Sequence, residues 1–350
     1  HGDNYSSKYS ALDQITKDNV TKLKVAWVLN TENFGEWKTN VETNPIVANG
    51  LIYFATTQNY IVAVDVKTGI IKWSYKCDSV PARRGLVWWK GTNSDSQIFF
   101  PTIAGKLIAL QAETGRLAPS FGEDGIVLTG LATSAPIVHK NKLFVAVNSP
   151  AKVESYDART GKKYWSTSLT AGKQKLLGGA PWAGMSLDDK RGLLFVTTGN
   201  PKPPFFGGNR PGKNLYTNSV VALDIRSGHI VWFWQEVEHG LWDYDIPSPP
   251  ILTTVERYKH QVDVVVALTK IGNVIVLERS SGKPLFDYRL RRAPTSEVPG
   301  EKTAPYQPDL ESPEPVGTPT FSLANVTDIS EKNRNSVIGQ LGNATYGFFQ

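Results

Sequence analysis

The sequence predicts an all-β fold, a β-propeller of four-stranded blades, and three observations carry that prediction. One short pattern occurs five times: alternating apolar residues, a turn of the form Asp-x-x-Thr-Gly or close to it, and a return strand that often ends in tryptophan. The turn glycines Gly69, Gly115, Gly161, Gly228 and Gly282 stand 46, 46, 67 and 54 residues apart, near the ~40–50-residue period of four-stranded blades. The apolar residues fall in short runs such as LIYFATT and VDVVVALTK, the length of strands rather than of core helices.

The elements follow in chain order. Ser10–Asn19 (SALDQITKDN) reads as a turn and a short capped helix leading into KLKVAWVL, an outer strand that includes Trp27. The repeats then run as IVAVDVKTGIIKWSY from Ile61, LIALQAETGRLAPSF from Leu107, VESYDARTGKKYWS from Val153, VVALDIRSGHIVWFW from Val220 and VIVLERSSGKPLFDY from Val274. In this pattern glycine accepts the positive φ of a hairpin turn, an aspartate side chain can bond turn amides, and an indole one hairpin-width later can lie flat between sheets. The 67-residue interval holds the Gly- and Pro-rich insertions GGAPWAGMSLDD and TTGNPKPPFFGGNRPGKN, where a functional loop is expected. Arg291–Pro319 is Pro-rich without periodicity and reads as a surface excursion, and a helix follows over Ser330–Leu341, weakened by Gly339.

A propeller closes its last sheet on its first, because an open ring exposes apolar faces at both ends. Five repeats in 350 residues read as part of a ring, either a fragment truncated on its C-terminal side or a chain that closes with a partner. The whole of 1–350 is read as one propeller domain.

Composition narrows the function. At 40% hydrophobic and 20% charged residues the chain can bury a sizeable core, which argues against disorder. No apolar run approaches the ~20 residues of a transmembrane helix. Cys77 is the single cysteine, so there is no internal disulfide, thiolate metal cage or C-x-x-C-H haem attachment. The net charge of +6 comes from scattered residues, which argues against a nucleic-acid partner. His139, His229 and His260 are dispersed and suggest no zinc site. No G-x-S-x-G elbow, phosphate loop or dinucleotide fingerprint occurs. His239, beside HGLWDYD, invites a general-base role, although a loop histidine bonded to backbone is the commoner case.

The repeat A-x-D-x-x-T-G-x-x-x-W resembles that of the quinoprotein dehydrogenases that use pyrroloquinoline quinone (PQQ), over the whole chain. Non-enzymatic propellers, such as the outer-membrane assembly lipoprotein, share the tryptophan repeat, so the loop motifs carry the likeness. Family members are eight-bladed around one PQQ and one calcium ion (Ca2+). GGAPWAGMSLDD resembles the segment whose tryptophan is the floor under the quinone, which implies that role for Trp182. TTGNP resembles the segment whose asparagine gives calcium an oxygen, implying Asn200 as metal ligand. HGLWDYDIPSPP resembles the signature whose aspartate is the catalytic base and meets the metal, implying Asp243. LTKIGNVIVLER implies Lys270 as the cation on the quinone carbonyls, 27 residues on. RRGLVWW, TSAP and ETNP imply Arg84, Thr133 and Glu42 in the cofactor shell, with Trp89 where glucose-oxidising relatives have histidine.

The chain departs from the family at three places. Gly240 replaces an aspartate, which is expected to loosen the loop around Asp243, and the vicinal cysteines of methanol-oxidising members are absent. The metal-binding glutamate, due near Ala151, has no match; Glu154, expected in a strand, is a poor substitute. The resemblance implies oxidation of an alcohol, polyol or sugar by hydride transfer to PQQ with Ca2+ assistance. Ubiquinone or cytochrome c would be the electron acceptor and the periplasm, beside the inner membrane, the location. The alternative is a cofactor-free propeller scaffold or an inactive truncated relative.

Overall fold

A computed structural model describes residues 3–7, 9–36, 40, 42–91, 95–170, 177–317 and 321–344. Four antiparallel four-stranded sheets and one three-stranded sheet follow one another along the chain. The first pairs Ile46–Ala48, Leu51–Ala55, Tyr60–Asp65 and Ile71–Lys76 in simple meander order. The second uses Val87–Trp89, Gln97–Pro101, Lys106–Gln111 and Ile126–Leu128; the third Ile137–His139, Lys142–Asn148, Ala151–Asp157 and Lys163–Ser168. Met185–Asp188, Leu193–Thr197, Ser219–Asp224 and Ile230–Gln235 make the fourth, and Ile251–Arg257, His260–Leu268 and Val274–Glu278 the fifth.

The continuous apolar runs have a simple cause. Side chains alternate across a strand, and here each inner sheet is covered on both faces by its neighbours. Leu143, Val145 and Val147 pack towards Phe99 and Leu107 of the second sheet, whereas Phe144 and Ala146 pack towards Leu187 and Leu194 of the fourth. One residue further, Phe195 and Ala222 turn to Val265 and Ile275 of the fifth.

The repeat turn is the joint between blades. Asp65 Oδ1 accepts the amides of Lys67 (3.1 Å) and Thr68 (3.0 Å) and the Thr68 hydroxyl; these bonds, that from the Thr68 amide foremost, hold its carboxyl below the usual range. Asp224 repeats the arrangement with Arg226 and Ser227. Each tryptophan then docks on the next turn. Trp27, Trp73, Trp165 and Trp232 donate Nε1–H to the carbonyls of Val66, Ala112, Ile225 and Arg279, always three residues before the turn glycine. The second repeat has no such tryptophan, and there Gly122 N–H donates to Thr160 O (2.9 Å) instead.

This packing leaves no room for a Cβ. Gly228 has φ +76°, and a methyl on it would sit 2.6 Å from the Trp165 ring. Gly228→Ala is expected to cost about 2–4 kcal/mol, combining the left-handed penalty with overpacking. Urea unfolding measures this as a lower midpoint at unchanged slope; a shift worth under about 0.5 kcal/mol would mean the indole is free to swing away.

Two expectations are corrected. Lys22–Leu29 is not a strand: Trp27 docks on Gly69, yet no described strand lies alongside to pair with its backbone, and Val25 and Val28 are exposed. The short helix falls at Val20–Lys22 as a single 3-10 turn, beyond the predicted span. Across the start of the Pro-rich stretch, Arg289–Arg292 pairs with Tyr306–Asp309 as a two-stranded ribbon, with Arg289 and Arg291 on the Asp309 carboxylate; positions 318 and 319 lie outside the described residues. The final helix, Glu331–Leu341, starts where Ser330 Oγ accepts the Asn333 amide (3.1 Å) and runs through Gly339. Among the described residues no sheet closes the ring, and no helix is long and apolar enough to cross a membrane.

Candidate active site

The insertions of the fourth blade meet the loop that leads from it into the fifth. Gly199 is the contact point: a Cβ there would lie 2.8 Å from Trp182 Nε1 and would collide with the Asp245 carboxylate. Asp245 Oδ1 accepts the Asn200 amide (2.8 Å), and its carbonyl accepts the Lys270 amide (3.1 Å). One carboxylate-bearing loop therefore holds both neighbouring segments.

Asp243 sits at the centre. Its Oδ2 accepts from Lys270 Nζ (2.7 Å) and its Oδ1 from Asn200 Nδ2 (2.8 Å), while Asn200 Oδ1 accepts from Asn218 Nδ2 (2.8 Å). Asp243 has φ +58°, a left-handed backbone that is uncommon for residues other than glycine and clusters at functional positions. Roughly a third of its side chain stays open to solvent, at 32%, so a substrate hydroxyl can reach it. Gly240 does not loosen this loop. Its carbonyl accepts from Arg210 Nη2 (2.7 Å), and a Cβ on it would already touch Asn218 Oδ1 at 3.0 Å.

On the other side of Gly199, the Arg84 guanidinium lies over the Trp182 ring at 4.9 Å from its centre, a cation–π arrangement. Glu42 faces Arg84 at 3.7 Å and Arg83 at 3.9 Å, exposed pairs that contribute little stability. Arg84 N–H donates to Thr133 O (3.1 Å), and Thr133 Oγ1 accepts from Asn148 Nδ2 (2.8 Å). All seven residues picked out from the sequence thus fall into two groups joined at Gly199. Trp89 does not: it is buried between the second and third blades, donating to Lys140 O (2.7 Å).

His239 behaves as a structural residue, its Nδ1 bonded to Gly212 O (2.8 Å) and burial pushing its ring below the usual imidazole range. Glu154 lies in the strand Ala151–Asp157, fully buried. Burial there opposes its charge, but bonds from Lys163 (2.6 Å), Thr129, Tyr156 and Lys152 outweigh it and hold the carboxyl down at about 2. Two lysines already neutralise it, and it joins neither group.

Sequence reasoning missed Asn148, Asn218, Arg210 and Glu236, polar residues with partners in other segments. Asn148 Oδ1 is buried without a protein partner, an acceptor next to Thr133 and suited to a ligand donor. For a flat, polyanionic quinone the residues fit: an indole face, a guanidinium above it, a hydroxyl and an ammonium. Toward calcium the fit is partial. Asp243 and Asn200 are hard oxygen donors side by side, against six to eight that calcium takes, and among the described residues no three acidic or imidazole side chains gather as a metal group.

Comparison with known proteins bears on the same residues. The family described as "PQQ: Glucose/ethanol/alcohol dehydrogenase, beta-propeller domain" matches residues 1–349. The chain is 30% identical, over an alignment of 364 residues, to the glycerol dehydrogenase large subunit of Gluconobacter thailandicus, covering 87% of this chain and 48% of that protein. It is 27% identical to quinoprotein glucose dehydrogenase A of Acinetobacter calcoaceticus, covering 85% and 44%. The crystal structure of quinohemoprotein alcohol dehydrogenase from Comamonas testosteroni superposes with a TM-score of 0.70 at 27% identity, over 87% of this chain and 50% of that one. The chain spans about half the length of the curated relatives it matches. Blade order, tryptophan-docked turns and a match over nearly every residue agree, and the chain belongs to the PQQ-type glucose/ethanol/alcohol dehydrogenase β-propeller family.

Proposed function

We propose that this protein, at its native length, oxidises the CH–OH group of an alcohol, polyol or sugar to a carbonyl with PQQ as the acceptor. The observation that carries the reading is the placement of Asp243 between Asn200 and Lys270, beside Gly199, which meets the edge of the Trp182 indole. PQQ, when bound, supplies the two-electron hydride acceptor. Trp182 would be its floor once Arg84, which lies over that ring here, moves to the quinone's polar edge beside Thr133 and Glu42, with Lys270 on its carbonyl side.

The chain's own residues do the rest. Asp243 Oδ1 or Oδ2 takes the substrate hydroxyl proton as general base. Lys270 supplies fixed positive charge where negative charge develops, without reorganisation at the moment of reaction. Asn200 and Asn218 fix the Asp243 carboxylate in place, and the indole excludes water from one side of the reacting carbon. In the finer form of the proposal, Asn200 and Asp243 also offer oxygens to Ca2+, the remaining ligands coming from outside this set of side chains; no step depends on it. Electrons leave to ubiquinone or cytochrome c, in the periplasm.

The test is a titration of the native-length protein with PQQ, with and without Ca2+, following tryptophan fluorescence and then dye reduction with a panel of alcohols, polyols and sugars. Saturable quenching and substrate-dependent dye reduction are expected. A folded protein that neither quenches nor reduces dye is not a quinoprotein dehydrogenase.

A further inference from the structure

Below the Asp243–Lys270 pair lies an acid that the mechanism does not use. Glu236 begins the segment that carries Asp243, and its side chain is 1% exposed. Its Oε1 accepts from Asn273 Nδ2 (2.8 Å), with Thr269 beside it. Those two residues are the ends of the turn on which Lys270 rides: Thr269 N–H donates to Asn273 O (3.1 Å), and Asn273 N–H to Thr269 Oγ1 (3.2 Å). At its backbone, Glu236 N–H donates to Asn218 O (2.9 Å), and Asn218 in turn holds Asn200 and the Tyr244 carbonyl. One residue thus touches the supports of both Lys270 and Asp243.

We infer that Glu236 is a positioning residue for the proposed reaction, a buried side chain that ties the Lys270 turn to the Asp243 loop. The inference rests on the dehydrogenase reading for its catalytic consequence, but not for its structural one. Glu236 Oε2 is buried with no partner, a poor setting for a carboxylate. The charged groups of the surrounding elements are engaged elsewhere: Glu238 on Lys213 (2.7 Å), Lys270 on Asp243, Asp245 on the Asn200 amide, Asp309 on Arg289 and Arg291. His239, also on this segment, bonds the Gly212 carbonyl. With no cation against it, burial pushes the Glu236 carboxyl up to about 7.

The sign follows from linkage. The folded protein keeps this proton to about pH 7 whereas the unfolded chain loses it near 4.5. Stability relative to Glu236→Gln is therefore highest below pH 4.5, falls as pH rises to about 7, and stays lower beyond. In the native-length protein loaded with PQQ, wild-type kcat is expected to drop above pH 7 and that of Glu236→Gln to stay level. Glu236→Leu should lose about 10- to 100-fold in kcat at every pH, the size of a positioning error, with KM little changed. Glu236→Gln, which keeps the acceptor for Asn273, restores most of that loss.

An activity-independent readout separates the two readings. Amine acylation followed by mass spectrometry should label Lys270 several-fold faster in folded Glu236→Leu than in wild type, because the turn no longer presents it to Asp243. If Glu236→Gln matches wild type in both melting and kcat across pH 4.5–9, or if Glu236→Leu leaves Lys270 labelling unchanged, the inference is overturned. Absence of dye reduction in wild type would remove the dehydrogenase reading alone, and melting and labelling would still decide the role of Glu236.

Discussion

Asp243→Asn is expected to lower kcat for alcohol oxidation by about 100- to 10,000-fold, the range typical of a lost general base, while PQQ affinity stays within about threefold. Asparagine is the informative replacement. It keeps the side-chain shape and is among the few residues that accept the left-handed backbone, here φ +58°, so the loop need not move. What it removes is the oxygen charge that Lys270 meets at 2.7 Å and the capacity to take a proton. Steady-state dye reduction with PQQ-saturated protein gives kcat, and equilibrium dialysis gives quinone affinity. A loss below tenfold would mean that another group accepts the proton, and Asp245, two residues on and bonded to the Asn200 amide, would be examined first.

The tryptophans show what a sequence of this kind makes legible. Trp73, Trp165 and Trp232 stand a fixed distance after a turn glycine, so their docking role could be read from spacing. In the structure each places its Nε1–H on a carbonyl three residues before the next turn glycine. Trp182 lies outside that pattern, in the insertion, and only the likeness of GGAPWAGMS to a family segment singled it out. Trp27 was half legible: its docking contact exists, but the strand it was assigned to needs a neighbouring strand, and local pattern carries no information about that. Glu154 was legible as a strand residue, because the alternation of VESYD fixes it, yet its two lysines come from positions that look like ordinary solvent-facing residues. Asn148, Asn218 and Glu236 left no signal at all. Each is a polar residue beside an apolar run, and its meaning lies in a partner from another segment: Thr133, Asn200 or the Thr269–Asn273 turn.

Trp182→Ala should weaken PQQ binding by roughly 30- to 150-fold, about 2–3 kcal/mol, from the apolar area one ring face covers together with the stacking preference of aromatic pairs. The change leaves the blade joints alone, since Trp182 docks on no turn glycine; its edge contact is Gly199. The folded state should therefore unfold at nearly the wild-type urea midpoint, whereas Trp165→Ala, which empties the joint at Gly228, should lower that midpoint by the equivalent of about 3–5 kcal/mol. Calorimetry or dialysis must measure the affinity, because Trp182 would itself be a reporter in a fluorescence assay. Trp182→Phe, which keeps a flat ring under Arg84, should recover part of the loss. The opposite pattern, lost stability with quinone affinity kept, would make Trp182 a packing residue and move the quinone floor away from the insertion of the fourth blade.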